Sequence, residues 1–205
     1  VSVRPRPYQF VPLLMALRLE PVRLLIADDV GIGKTIEALL IVRELLDRGE
    51  IHRLCVLCPP YLCDQWKKEL WEKFHIDAVV VRSGTVSQLE RDLPSGDHSI
   101  FGYYRHIVVS IDYAKTDRHR DNFLVHCPDF VIVDEAHGAA QPARQARGQQ
   151  QRYNLIQEIA RSQDRNIVLL TATPHSGIEE SFLSLVGVLR KDLTQLNLQR
   201  LTQQD

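Results

Sequence analysis

Apolar and polar positions along the chain fall into alternating blocks of strand length and helix length. Leu13 to Leu19 reads as a short apolar helix behind the Pro-rich opening Arg4-Pro5-Arg6-Pro7-Tyr8-Gln9. Val22 to Ala27 is an apolar run of strand length, and Thr35 to Arg48 repeats with helical period until Gly49 closes it. His52 to Cys58 predicts the next strand, Leu62 to Phe74 the next helix and Ala78 to Val81 another strand. Thr85 to Tyr104 is polar and turn-rich around Pro94-Ser95-Gly96-Asp97, which predicts a hairpin or a surface loop. Ile107 to Ile111 and Phe130 to Val133 are buried-strand runs with helix between them. Ile167 to Leu170 and Glu179 to Leu189 supply a last strand and a last helix. Short apolar strands between amphipathic helices specify an α/β fold, a mainly parallel sheet with helices on both faces. Such sheets gather ligands at the carboxyl ends of their strands.

Composition narrows the class. A chain of 205 residues with 44% hydrophobic content can bury one sizeable core. The formal net charge is −1, so no global basic field advertises a nucleic-acid partner, and any such contact must come from local patches and backbone amides. No apolar run reaches the ~20 residues that cross a bilayer, and no signal peptide opens the chain, so no membrane partner is expected. Cys55 and Cys58 resemble a metal or redox pair in spacing alone. Within a strand they point to opposite faces, and no second Cys or His pair completes a zinc set. Buried structural thiols in a reducing, cytoplasmic compartment are the expectation.

Chemistry is concentrated at three strand ends. Asp28-Asp29-Val30-Gly31-Ile32-Gly33-Lys34-Thr35 follows the first strand and opens a helix. Glycines there let backbone N–H groups turn inward on phosphate at the helix N-terminus, and a lysine reaches the terminal phosphates. The general pattern is G-x-x-x-x-G-K-[ST], and this chain departs from it with Asp28 in place of the first glycine. Asp134-Glu135-Ala136-His137 follows Phe130-Val131-Ile132-Val133, which delivers both carboxylates to the sheet's edge. One carboxylate is expected to hold magnesium beside the Thr35 hydroxyl, and the other to orient or deprotonate the attacking water. Taken alone, His137 reads as an ordinary packed or exposed histidine. Thr171-Ala172-Thr173-Pro174 ends a third strand, where hydroxyls can bridge to the carboxylate pair. Together the three strings describe a site for ATP and Mg2+.

These strings resemble helicase superfamily 2. Asp-Asp-x-Gly-x-Gly-Lys-Thr-Ile-Glu-Ala is similar to the phosphate loop of the Swi/Snf-type double-stranded-DNA translocases, in which an acidic residue replaces the first glycine. Val108 to Tyr113 and Leu169 to His175 resemble the bacterial and archaeal branch that includes the RNA-polymerase-recycling and phage-defence motors. The resemblance runs from Tyr8 to about Leu189. It implies a RecA-like (P-loop NTPase) domain over 1–205, with 1–20 as an adenine-recognition opening segment. In that scheme Gln9 reads the adenine edge, and Asp29, Gly31, Gly33, Lys34 and Thr35 bind nucleotide. Thr35 and Asp134 hold the metal, while Lys34, Asp134, Glu135 and His137 are catalytic. Pro59 and Gln65, with Ser110 and Asp112, match two segments that contact the nucleic-acid backbone, and Thr171 and Thr173 couple the ATP state to that track through His137. Trp66 reads as core.

Ala139 to Arg152 is Gln-rich, holds Arg144, Arg147 and Arg152 and no acid, and predicts a mobile loop, either plain surface or a basic element near the track. The resemblance further implies a second RecA-like domain, expected outside this chain, which supplies arginine fingers worth roughly 10³–10⁵ in rate. The expectation is an amino-terminal half-site that binds nucleotide better than it hydrolyses it, in a nucleoid-associated protein that has duplex DNA and a transcription or phage-defence protein as partners. An RNA or single-strand helicase, a non-catalytic ATP-sensing scaffold and a motor within a nuclease or restriction subunit are the alternatives.

Overall fold

A computed structural model describes residues 2–28, 33–142, 146–172 and 179–190. The described residues form a six-stranded sheet: β1 (Arg23–Asp28), β2 (Leu54–Cys58), β3 (Val79–Val81), β4 (His106–Ser110), β5 (Phe130–Val133) and β6 (Asn166–Ala172). Its spatial order is β1-β6-β5-β2-β4-β3, and every pairing is parallel. Parallel neighbours need long crossovers, and helices supply most of them. The α-helices among the described residues are α1 (Val11–Ala16), α2 (Lys34–Arg48), α3 (Cys63–Phe74), α4 (Val86–Arg91), α5 (Ile100–Tyr103), α6 (Ile111–Ala114), α7 (Asp117–Val125), α8 (Arg147–Ala160) and α9 (Glu179–Leu189), of which α2 to α8 lie between strands.

Alternation along each strand splits the core in two. Leu24, Val56 and Ile132 face one apolar cluster with α2 and α3, while Leu57, Val133 and Leu169 face the other with α5, α8 and α9. The two-faced burial expected from wholly apolar strands is realised. Cys58 lies in the first cluster and Cys55 in the second, so their side chains diverge as the strand period requires. All four cysteines are free and buried. Cys58 finds a different neighbour, Cys63 in the first turn of α3, with the sulfurs 3.7 Å apart.

Two segments depart from the sequence expectation. Residues 85–104 contain α4 and α5 rather than a hairpin or plain loop. Ser99 caps α5 by accepting from the Phe101 N–H at 3.3 Å, and the Phe101 ring meets Phe123 edge-on, with centroids 5.2 Å apart. Burying that aromatic pair gives the segment a reason to fold. Residues 139–152 are not one loop either. A 3-10 turn covers Ala136–Ala139, and α8 already begins at Arg147. Tyr153, Leu155, Ile156 and Ile159 give α8 an apolar face that docks on the sheet, which carries the preceding polar turn into helix. The first helix is shifted as well, ending at Ala16 rather than Leu19.

Candidate nucleotide site and its flanking cleft

Strand register decides which chemical groups meet. Ala27, at the end of the strand before the phosphate loop, is paired with Thr171 of β6. Val133, just before Asp134, is paired with Leu57, whose carbonyl accepts the Asp134 N–H at 2.8 Å. Cys58, just before Pro59, is paired with Ser110. The carboxyl end of β1, the carboxylates, the threonine and both expected track segments therefore share one edge of the sheet.

The loop ends on Gly33, whose φ of 100° and ψ of 36° are left-handed. A side chain there would be strained by the backbone alone. It would also run into the Gln9 amide nitrogen, which lies directly over this glycine. Gln9 is buried, not the surface residue its local sequence suggests, and its Oε1 accepts the Arg6 N–H at 2.8 Å. The opening segment and the start of α2 are thus in contact. Lys34 and Thr35 form the first turn of α2, the position at which N–H groups and the helix dipole favour an anion. Asp29, Gly31 and Thr173 lie outside the described residues.

Asp134 sits at the mouth of β5 and is mostly buried. Its Oδ2 accepts the Trp66 indole N–H at 2.8 Å, and its Oδ1 accepts the Glu135 backbone N–H at 2.8 Å. Burial pushes its pKa up, against the two hydrogen bonds and the charge of Lys34, which favour the ionised form. Trp66 is core, as expected from its helix, at 3% exposure. Its indole N–H also donates to Asp134, a role that sequence reasoning missed. The two residues are 68 apart in the chain, and only the β2–β5 pairing brings them together.

Glu135 adopts φ 51° and ψ 43°, a left-handed conformation uncommon for a residue with a side chain. This turns the chain out of the strand and into the 3-10 turn, so that His137 folds back. His137 Nδ1 lies 3.2 Å from Glu135 Oε2 and 3.4 Å from Thr171 Oγ1. The carboxylate, imidazole and hydroxyl expected to communicate are therefore adjacent.

A cleft of about 290 Å³ continues from Asp134 and Glu135 to Pro59, Tyr61, Asp112 and Arg152. Of the residues expected to face nucleic acid, Pro59 and Asp112 line it, Ser110 is buried in the strand beneath, and Gln65 is exposed on α3, bonded to Glu69 at 3.0 Å. Asp112 is not a bare carboxylate. Its Oδ1 accepts from Lys115 Nζ at 2.7 Å and from Arg152 Nε and Nη2 at 2.9 and 2.7 Å. Burial alone would raise its pKa, but these two cations hold it below the usual carboxylate range. Arg152 is therefore committed to an ion pair rather than displayed on a mobile loop.

Known proteins resemble this chain in sequence and in fold. An ATP-dependent helicase of Bacillus subtilis, YqhH, not otherwise characterised, is 32% identical over 189 residues, covering 92% of this chain and 30% of that protein. The RNA polymerase-associated protein RapA of Erwinia tasmaniensis is 31% identical over 169 residues, covering 80% of this chain and 16% of its own length. The chain thus spans under a third of either relative. The SWI2/SNF2 ATPase core of Sulfolobus solfataricus, solved in complex with dsDNA, superposes with a TM-score of 0.69 at 19% identity, over 93% of this chain and 36% of that one, a likeness of fold. The SNF2-related domain family matches residues 9–199, and with that span of the sequence accounted for, the chain belongs to the SNF2-related family.

Proposed function

We propose that this domain binds ATP with Mg2+ and, as part of a two-domain motor, couples ATP hydrolysis to movement along double-stranded DNA. The observation that carries the reading is the convergence of Asp134, Glu135, His137 and Thr171 beside the Gly33-Lys34-Thr35 helix start, at the same sheet edge as the Pro59–Asp112 cleft. Lys34 neutralises terminal phosphates, and Gln9 sets the adenine end through its contact with Gly33. Thr35 and Asp134 would hold magnesium, whose chemistry is to neutralise charge that develops on the transferred phosphoryl group. The donor set fits: a buried carboxylate with a raised pKa gains most from a nearby cation. Among the described residues no group of three or more His, Cys, Asp and Glu forms a metal site, so phosphate oxygens and water would complete the shell. Glu135 orients or deprotonates the attacking water, and His137 relays its position to Thr171.

Duplex DNA as the track is supported by the acidic phosphate-loop spelling and by the dsDNA complex of the Sulfolobus relative. A transcription partner is supported by the name of the RapA relatives, and phage defence by the branch resemblance; a cytoplasmic, nucleoid-associated setting follows from either. Among the described residues no helix is long and apolar enough to cross a membrane. A second RecA-like domain would supply the arginine finger, so the present domain alone should turn over ATP slowly, by about 10³–10⁵ relative to the complete motor.

The deciding experiment is ATP hydrolysis by the protein as encoded, with duplex DNA, single-stranded DNA or RNA added. Glu135→Gln should retain nucleotide binding and lose about 10²–10⁴ in turnover, whereas Lys34→Ala should lose nucleotide binding. Stimulation by duplex DNA is expected. Stimulation by RNA or single strands alone would reassign the domain to a helicase, and unchanged nucleotide affinity in Lys34→Ala would sink the site.

A further inference from the structure

We propose that Arg152 is a positioning residue that ties the track-facing Asp112 turn to the loop carrying Glu135 and His137, and so transmits occupancy of the cleft to the hydrolytic site. The inference rests on the DNA-motor reading above. Its basis is the way one guanidinium is divided. Nε and Nη2 are both on Asp112 Oδ1, at 2.9 and 2.7 Å, while Nη1 reaches the Gly138 carbonyl at 3.4 Å. Gly138 is one residue past His137, and its own N–H donates to the Glu135 carbonyl at 2.9 Å. A continuous path therefore runs from Asp112 through Arg152 and Gly138 to Glu135. Coupling needs such a chain of contacts, and it also needs an end that can change state.

Both ends qualify. Glu135 is held in a sparsely populated backbone conformation, so its geometry depends on the turn around it, and Arg152 grips that turn. At the other end Asp112 and Arg152 both line the cleft, and Asp112 is also paired with Lys115. A phosphodiester entering the cleft competes with Asp112 for Arg152. Drawing Arg152 slackens its hold on Gly138, while Lys115 keeps Asp112 paired. The change then reaches the Glu135 turn. Lysine is a poor substitute, because its compact ammonium lacks the planar fork whose separate nitrogens reach the Asp112 carboxylate and the Gly138 carbonyl together.

The test uses the protein as encoded. Turnover with and without duplex DNA, the KM for ATP and the DNA concentration at half-stimulation are measured for the unsubstituted protein, Arg152→Gln and Arg152→Lys, with thermal midpoints as a folding check. The ratio of stimulated to unstimulated turnover should fall about three- to thirtyfold in both variants, the range that mutations along coupling paths produce. KM for ATP should stay within about twofold, and any rise in DNA half-saturation should come with a lowered maximal rate. Losses of stimulated rate in Arg152→Gln and Asp112→Asn should also fail to add in the double variant. Three results would overturn the proposal. They are full rescue by lysine, a raised DNA half-saturation at unchanged maximal rate, and an equal fall in both rates with a lowered midpoint. Absence of DNA stimulation in the unsubstituted protein would bring down the motor reading itself, and the inference with it.

Discussion

Asp134 carries charge at a place where burial opposes it. Its folded pKa lies above the unfolded value, so folding favours the protonated form, and that advantage is lost as pH rises through the folded pKa. At neutral pH the ionised group therefore costs stability, which the Trp66 and Glu135 donors partly offset. Trp66→Phe keeps most of the packing and removes one donor from a buried carboxylate. It should lower stability by about 1–3 kcal/mol, read from urea midpoints, and shift the acid limb of the pH–rate profile for ATP hydrolysis to higher pH. An unshifted limb would show that the indole is only packing. Lys34, Asp134 and Glu135 were legible as candidates because each sits within a short string beside an apolar strand. The Trp66–Asp134 and Arg152–Asp112 partnerships span 68 and 40 residues, and nothing local in the sequence marks them.

Elements were legible in proportion to how apolar they are. Strands β2, β4 and β5 are almost wholly buried, and unbroken apolar runs announce them. Helix α8 is the opposite case. It opens on Arg147-Gly148-Gln149-Gln150-Gln151-Arg152 behind Ala146, which offers no capping hydrogen bond, so its first turns look like a loop. Only docking of Tyr153 and Ile156 makes them helix, and that is tertiary information. The end of α2 is fully local by contrast. Gly49 has φ 72° and donates to the Leu45 and Leu46 carbonyls, with open space where a Cβ would point. Gly49→Ala should therefore cost about 1 kcal/mol of backbone strain alone. Differential scanning calorimetry should find a midpoint lower by about 2–4 °C, with no change in nucleotide affinity.

At the scale of the molecule, two apolar layers enclose one sheet, and every thiol is inside. Burial raises the pKa of Cys55 and pushes that of Cys127 up to about 11, which keeps both protonated and unreactive at neutral pH. A thiol reagent should accordingly label fewer than one cysteine per folded chain at pH 7 within minutes, and all four after unfolding; rapid labelling in the native state would contradict the packing. The sheet order has a consequence in time as well as in space. Strand β1, which leads into the phosphate loop, pairs with β6 alone among the described strands. Its partner is made about 140 residues later, roughly 7–28 s at bacterial and eukaryotic synthesis speeds. Until then the nascent chain has a lysine loop on an unpaired strand, and the carboxylates at β5 have no threonine beside them. Nucleotide therefore cannot template folding before β6 has left the ribosome, and the nucleotide site is completed late in the domain's assembly.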